Sequence, residues 1–142
     1  MKKFLLLFVL GLAISTPSVF AQKVVSTKVH KIVFQLTNQD TLVHKAMVRQ
    51  INNALTAAPN AKIEVVCHNN GIEFLTTAKT KMGSAITELK AKGVVFAACE
   101  NTLRERKIDK SEIVSEAIFV PAGILEVVMK QEQKYSYIKA GF

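Results

Sequence analysis

The fold is decided by residues 93–106, which read GVVFAACENTLRER. Residues 93–98 form an uninterrupted apolar run, which is typical of a strand buried on both faces, and Cys99 closes it. The polar stretch after it, residues 100–106, is predicted to be a helix. In an open α/β sheet, ligands bind beyond the carboxyl ends of the strands. Cys99 is therefore predicted to lie where chemistry takes place.

Strands and helices alternate on both sides of this stretch. Further strands are predicted at residues 31–36, 62–67, 117–120 and 135–140, where β-branched and aromatic residues cluster. Helices are predicted between them, one capped by Asp40 and stopped by Pro59, one ended by Gly93, and one begun by Pro121. This alternation predicts a flavodoxin-like three-layer α/β/α sandwich. Its five-stranded, mostly parallel sheet is expected in the order 2-1-3-4-5.

The first residues have the order of a secretory signal. Lys2 and Lys3 precede an apolar block at residues 4–14, and the sequence SVFA at residues 18–21 ends in the small residue Ala21. We expect residues 1–21 to be a signal peptide cleaved after Ala21, and residues 22–142 to be a single α/β domain, periplasmic or secreted. The apolar block is shorter than the roughly 20 residues of a membrane span, so no membrane span is predicted.

Charge and motifs exclude several function classes. The 142-residue chain has a formal net charge of +8, but its basic residues are scattered and not interleaved with exposed aromatics, so no nucleic-acid partner is expected. No glycine-rich loop follows the first strand and no Gly-x-Ser-x-Gly elbow occurs, which argues against a nucleotide cofactor and a serine triad. Cysteines and histidines lack paired spacing, so no metal and no cofactor are predicted.

Two interpretations of Cys99 stay open at this point. A helix N-terminus, with Arg104 and Arg106 nearby, favours a reactive thiolate, whereas the neighbouring Glu100 opposes it. The alternative is a structural cysteine that fills space in the core. Cys67 ends another strand, and in the expected order it lies about 9.6 Å away, two strand spacings. A disulfide needs Cα atoms within about 7 Å, so both thiols are expected to be free.

Other polar positions are predicted at the same edge of the sheet. Asn38 and Asn69 follow the first two strands, Asn101 follows Cys99, and Gly123 lies at a helix start whose amides could hold an anion. We take Cys99 as the candidate catalytic residue and these four as candidate binding residues.

The second half of the chain resembles the DsrE/DsrF-like family, including its YchN-like, sulfur-relay members. The resemblance rests on CENTL at residues 99–103, VPAGI at 120–124, and Gln131 followed by YSYIK at 135–139. It implies a flavodoxin-like fold, homo-oligomers such as trimers or hexamers, and a cysteine, here Cys99, that carries a persulfide between a sulfur donor and an acceptor protein. The export signal would make this chain an exported member.

Two functions are therefore expected as alternatives. The first is a sulfur carrier or sulfurtransferase that uses Cys99. The second is a non-catalytic oligomer that binds a small ligand or anion, with Cys99 structural.

Overall fold

The structure, a computed structural model, describes residues 25–141, so the expected signal peptide at residues 1–21 lies outside the described residues. The strands are β1 (Lys31–Leu36), β2 (Lys62–Cys67), β3 (Val95–Cys99), β4 (Ala117–Val120) and β5 (Ser136–Lys139). The α-helices are α1 (Thr41–Ala57), α2 (Gly83–Ala91), α3 (Glu100–Arg106) and α4 (Gly123–Glu132). Short 3₁₀ segments occupy Asn69–Phe74 and Lys110–Glu112. Each predicted strand is present, with ends within two residues of the prediction.

Local signals set the ends of two helices, as the sequence predicts. The Asp40 carboxylate accepts a hydrogen bond from the Leu42 N–H at 2.8 Å and so caps the start of α1. Gly93 has a φ of +87°, a conformation that a residue with a side chain rarely adopts, and it ends the turn after α2.

All five strands are parallel, and the fold class is confirmed. The strand order is different from the expected 2-1-3-4-5. It runs β4-β3-β2-β1-β5. The expected order places β1 between β2 and β3, but the first three crossovers all step in the same direction across the sheet. Because each crossover is right-handed, helices α1, α2 and α3 all lie on one face.

The fourth crossover runs back across the sheet and puts α4 on the opposite face. Helix α4 contacts β1, β2, β3 and β5, and it carries the chain from β4 at one edge to β5 at the other. The larger core lies beneath α1, α2 and α3 and includes Phe34, Phe74 and Phe96. The smaller core beneath α4 contains Val33, Val66, Ala97, Val120 and Val127. The core between the sheet and α1, α2 and α3 is therefore much larger than the core between the sheet and α4.

The corrected strand order changes the relation between the two cysteines. Strands β2 and β3 are neighbours, and Cys67 pairs with Ala98, so Cys99 lies one residue further along. Successive side chains of a strand point to opposite faces. Cys67 therefore belongs to the larger core and Cys99 points to the α4 face, and both thiols are free.

Among residues 25–141, no helix has both the length and the apolar character needed to cross a membrane.

Candidate functional site

A cleft lies at the carboxyl edge of the sheet, where β2, β3 and β4 end. It encloses about 320 Å³ and contains Cys99. Its walls come from the segments that follow the three strands and from the first turns of α3 and α4. The residues that line it, besides Cys99, are His68, Asn69, Asn101, Thr102, Glu105, Ala122, Gly123 and Ile124. The parallel strands bring these segments together because their carboxyl ends meet at one edge.

The Cys99 sulfur lies at the starts of two helices. Cys99 is the N-cap residue of α3, and the Gly123 N–H, in the first turn of α4, donates a hydrogen bond to Sγ at 3.2 Å. The Thr102 hydroxyl accepts a hydrogen bond from the Asn69 N–H at 3.0 Å, which leaves its proton free to donate toward the sulfur. These donors favour a negative charge on Cys99.

The two thiols have opposite acidities. Burial opposes the ionisation of Cys99, yet hydrogen bonds to the sulfur outweigh burial and lower its pKa below the usual thiol value. Those bonds come from the Thr102 side chain and from the backbone N–H groups of Thr102, Gly123 and Asn101. At Cys67, complete burial without such donors raises the pKa far above the usual value. Since the thiolate is the nucleophile, these pKa directions favour Cys99 over Cys67 as the nucleophile of the pair.

The charged residues near Cys99 do not act on the thiol as the sequence suggests, with Arg104 and Arg106 favouring the thiolate and Glu100 opposing it. Lys110 forms an ion pair with Glu100, which offsets the negative charge that the sequence places beside the thiol. Arg106 donates to the side-chain oxygens of Asn69 and Asn70, and Arg104 donates to that of Asn101. Arg104 and Arg106 therefore hold the asparagine side chains of the cleft wall. The pKa of the Cys99 thiol is lowered by backbone amide and hydroxyl donors, not by guanidinium groups.

Of the predicted site residues, the structure brings Cys99, Asn69, Asn101 and Gly123 to the cleft. Asn38 does not line it. The Asn38 side chain accepts from the Asp40 N–H and its carbonyl accepts from His44 Nε2, each at 2.8 Å, so Asn38 shapes the turn before α1.

Residues that the sequence analysis did not select also contribute to the site. His68 lines the cleft, and Thr102 faces the sulfur. Gln35 donates to the His68 ring and accepts from Tyr137. A glutamine next to the apolar residues 32–34 of β1 was a usable signal, because a half-buried polar side chain needs a partner. Among residues 25–141, no group of three or more His, Cys, Asp or Glu side chains is placed to hold a metal ion.

Gly123→Ala is expected to slow alkylation of Cys99 at neutral pH by about tenfold to a hundredfold, since a hydrogen bond to a charged group is worth about 1.5–3 kcal/mol. A Cβ on Gly123 would lie 3.0 Å from the His68 Cβ and 3.2 Å from the Cys99 Cβ, so the start of α4 must shift away from the sulfur. The rate is measured with iodoacetamide by mass spectrometry. Gly83→Ala is the matched control, because a Cβ there meets no atom within 4 Å. Equal rates in the two variants would contradict the role of this amide.

Comparisons with known proteins agree with this architecture. A solved structure of a protein of unknown function from Methanobacterium thermoautotrophicum is similar, with 25% sequence identity and a TM-score of 0.74, over 78% of this chain and 98% of that chain. A search of curated proteins found no match. The family model described as DsrE/DsrF-like matches residues 30–140. Because this match takes in every strand of the sheet and the whole cleft, the chain belongs to the DsrE/DsrF-like family.

Proposed function

We propose that this protein is a sulfur carrier in which Cys99 accepts a sulfane sulfur, holds it as a persulfide and passes it to an acceptor thiol. Membership of the DsrE/DsrF-like family indicates a role related to sulfur relay. The observation that carries the proposal is the position of the Cys99 sulfur, which lines the cleft, accepts a hydrogen bond from the Gly123 N–H at 3.2 Å and has a lowered pKa.

The chemistry requires no external oxidant. The Cys99 thiolate attacks the outer sulfur of a donor persulfide, R–S–S⁻; a new S–S bond forms, the donor S–S bond breaks, and R–S⁻ leaves. The product is Cys99–S–S⁻. An acceptor thiolate then attacks the outer sulfur of Cys99–S–S⁻. A new S–S bond forms on the acceptor, the S–S bond at Cys99 breaks, and the Cys99 thiolate is regenerated. The helix-terminal amides stabilise the negative charge on the Cys99 sulfur before the attack and after the transfer.

The test is the intact mass of the protein before and after treatment with polysulfide. We expect the parent to gain one sulfur atom that a reductant removes, and Cys99→Ser to gain none. Cys67→Ala is the matched control and should gain sulfur like the parent, because Cys67 is completely buried on the other face of the sheet. No gain in a folded, reduced parent would overturn the carrier proposal. It would favour the alternative, an anion-binding module in which Cys99 is structural.

We also propose that α4 forms an interface between copies of this chain. Its outer side exposes apolar residues at helical spacing, namely Ile124, Leu125, Val128 and Met129. Apolar side chains of the edge strands, Ile118, Phe119, Tyr137 and Ile138, are also exposed. An exposed apolar helix face such as that of α4 is typical of protein interfaces. Ile124 also lines the cleft, so a second copy on α4 would shelter the sulfur that Cys99 carries.

Leu125→Glu is expected to convert an oligomer, a trimer or hexamer by the family resemblance, into a monomer. A charge buried at an interface without a partner is strongly unfavourable. Light scattering after size exclusion measures the change. Leu42→Glu is the matched control, since Leu42 is an exposed leucine on α1, away from this helix. A monomeric parent at micromolar concentration would overturn the interface proposal.

We propose further that this is an exported member of the family, periplasmic or secreted. The charged, apolar and small-residue order of residues 1–21 supports this. Protein expressed in a Gram-negative host should be recovered from the periplasm with Gln22 as its first residue. Cytoplasmic protein that keeps Met1 to Ala21 would contradict the proposal.

A further inference from the structure

We infer that His68 donates a hydrogen bond from Nδ1 to the outer sulfur of the group held at Cys99, and that Tyr137 and Gln35 position it for this role. The inference rests on the proposed function, for which it names the group that recognises the transferred sulfur. Gln35 and Tyr137 are positioning residues, because they act through His68.

The three side chains form a hydrogen-bonded chain across the sheet, from the edge strand to the cleft. The Tyr137 Oη lies 2.6 Å from Gln35 Oε1, and Gln35 Nε2 lies 2.8 Å from His68 Nε2. Tyr137 is on β5, Gln35 is on β1, and His68 follows β2. These elements are neighbours in the sheet, so the chain follows its α4 face.

The chain determines which ring nitrogen of His68 carries the proton. A separation of 2.6 Å is typical of an O–H···O bond, so the Tyr137 hydroxyl donates to Gln35 Oε1. The Gln35 amide nitrogen is then the donor to His68, and Nε2 of the ring must be an unprotonated acceptor. The ring is therefore neutral, with its proton on Nδ1. Burial also lowers the pKa of His68, which favours the neutral ring.

The protonated nitrogen is left available for a ligand. Nδ1 of His68 has no hydrogen-bond partner within the described residues 25–141, while the residue itself lines the cleft with Cys99. The β-carbons of His68 and Cys99 flank the same glycine, Gly123, at 3.0 and 3.2 Å from its would-be Cβ. A sulfur bonded to Cys99 Sγ extends into the cleft that the two residues share. No proton is transferred: the Nδ1–H stabilises the negative charge on the outer sulfur of Cys99–S–S⁻.

One experiment tests the tautomer and does not depend on sulfur chemistry. Long-range ¹H–¹⁵N correlation spectra of histidine-labelled protein at neutral pH should show His68 protonated on Nδ1 only, with His68→Asn identifying its signals. Gln35→Leu and Tyr137→Phe should weaken this preference and populate the Nε2–H form. A parent His68 that is protonated on Nε2, or on both nitrogens, would overturn the inference.

A second experiment tests the role, by measuring how fast the polysulfide-loaded protein loses its sulfur to cyanide. His68→Ala is expected to accelerate the loss by about tenfold, the effect of one hydrogen bond to a charged group. His68→Asn should restore the parent rate, because its amide nitrogen lies where Nδ1 lies, whereas His68→Gln places its amide at the Nε2 position and should not. Equal rates in the parent and all three variants would overturn the role. A parent that takes up no sulfur would overturn both the proposed function and this role of His68. The tautomer of His68 is tested independently, because the spectra are recorded without sulfur loading.

Discussion

Gly71→Ala is expected to lower the free energy of unfolding by more than about 3 kcal/mol, the upper range for overpacking against atoms that cannot move aside. A Cβ at this position would lie 2.1 Å from the Leu36 carbonyl oxygen, 2.5 Å from its carbon and 2.9 Å from the Thr37 nitrogen. These are backbone atoms at the end of β1, the second strand from one edge of the sheet. The 3₁₀ segment Asn69–Phe74 would have to move away from the sheet.

The displacement would also reach the cleft. The His68 N–H donates to the Leu36 carbonyl at 3.1 Å, and the Gly71 N–H donates to the His68 carbonyl at 3.0 Å. Movement of the segment therefore strains both bonds and moves the His68 ring away from Gln35. Urea unfolding followed by circular dichroism measures the loss of stability. Gly83→Ala is again the control, and it should change stability by no more than about 1 kcal/mol, toward greater stability. A Gly71→Ala midpoint equal to that of the parent would show that the segment is not tightly packed on β1.

Lys130→Met is expected to destabilise the protein at neutral pH by about 3–5 kcal/mol, the usual cost of leaving a buried charge without its partner. Lys130 Nζ lies 2.6 Å from Glu64 Oε2, and only 3% of the Glu64 side chain is exposed. The second oxygen, Oε1, has no hydrogen-bond partner among residues 25–141. Without Lys130, the Glu64 carboxylate beneath α4 would have to bind a proton or draw in water.

The pH dependence of this loss has a definite sign. Burial raises the pKa of Glu64 above its usual value of 4.5, and Lys130 partly opposes that rise. A carboxyl with a raised pKa in the folded state contributes most stability when protonated, and this contribution is lost as the pH rises through its folded pKa. The penalty of Lys130→Met should therefore be largest at neutral pH and shrink toward pH 4.5, the usual value. Unfolding curves across this range measure it.

Two controls separate the buried pair from a general effect of removing a lysine. Lys79→Met removes an exposed ion pair with Glu73 and should cost less than about 1 kcal/mol. The double variant Glu64→Gln with Lys130→Met removes the buried charge as well and should recover much of the lost stability. A single variant that loses no stability, or loses it equally at all pH values, would contradict this account of the pair.

The candidate site was only partly predictable from the sequence. Cys99, Asn69, Asn101 and Gly123 were selected because each lies at or just after the end of a strand, and strand ends are visible as the limits of apolar runs. Asn38 satisfied the same criterion, yet its polar groups cap the turn before α1. Gln35 and Tyr137 lie 102 positions apart, and no local pattern connects them. His68 was not selected, because its hydrogen bond to Gln35 depends on the pairing of β1 with β2, which no local pattern shows.

The sequence by itself determined the elements, their parallel arrangement and the position of Cys99 at a strand end. Apolar periodicity, helix caps and the spacing between strands are local properties, and they act before any two strands meet. Only the tertiary structure decided the strand order, because each crossover can step to either side of the sheet, and the choice depends on which helices pack together. That order placed Cys67 and Cys99 on opposite faces, brought the α4 amide to the Cys99 sulfur, and set Tyr137, Gln35 and His68 on neighbouring strands.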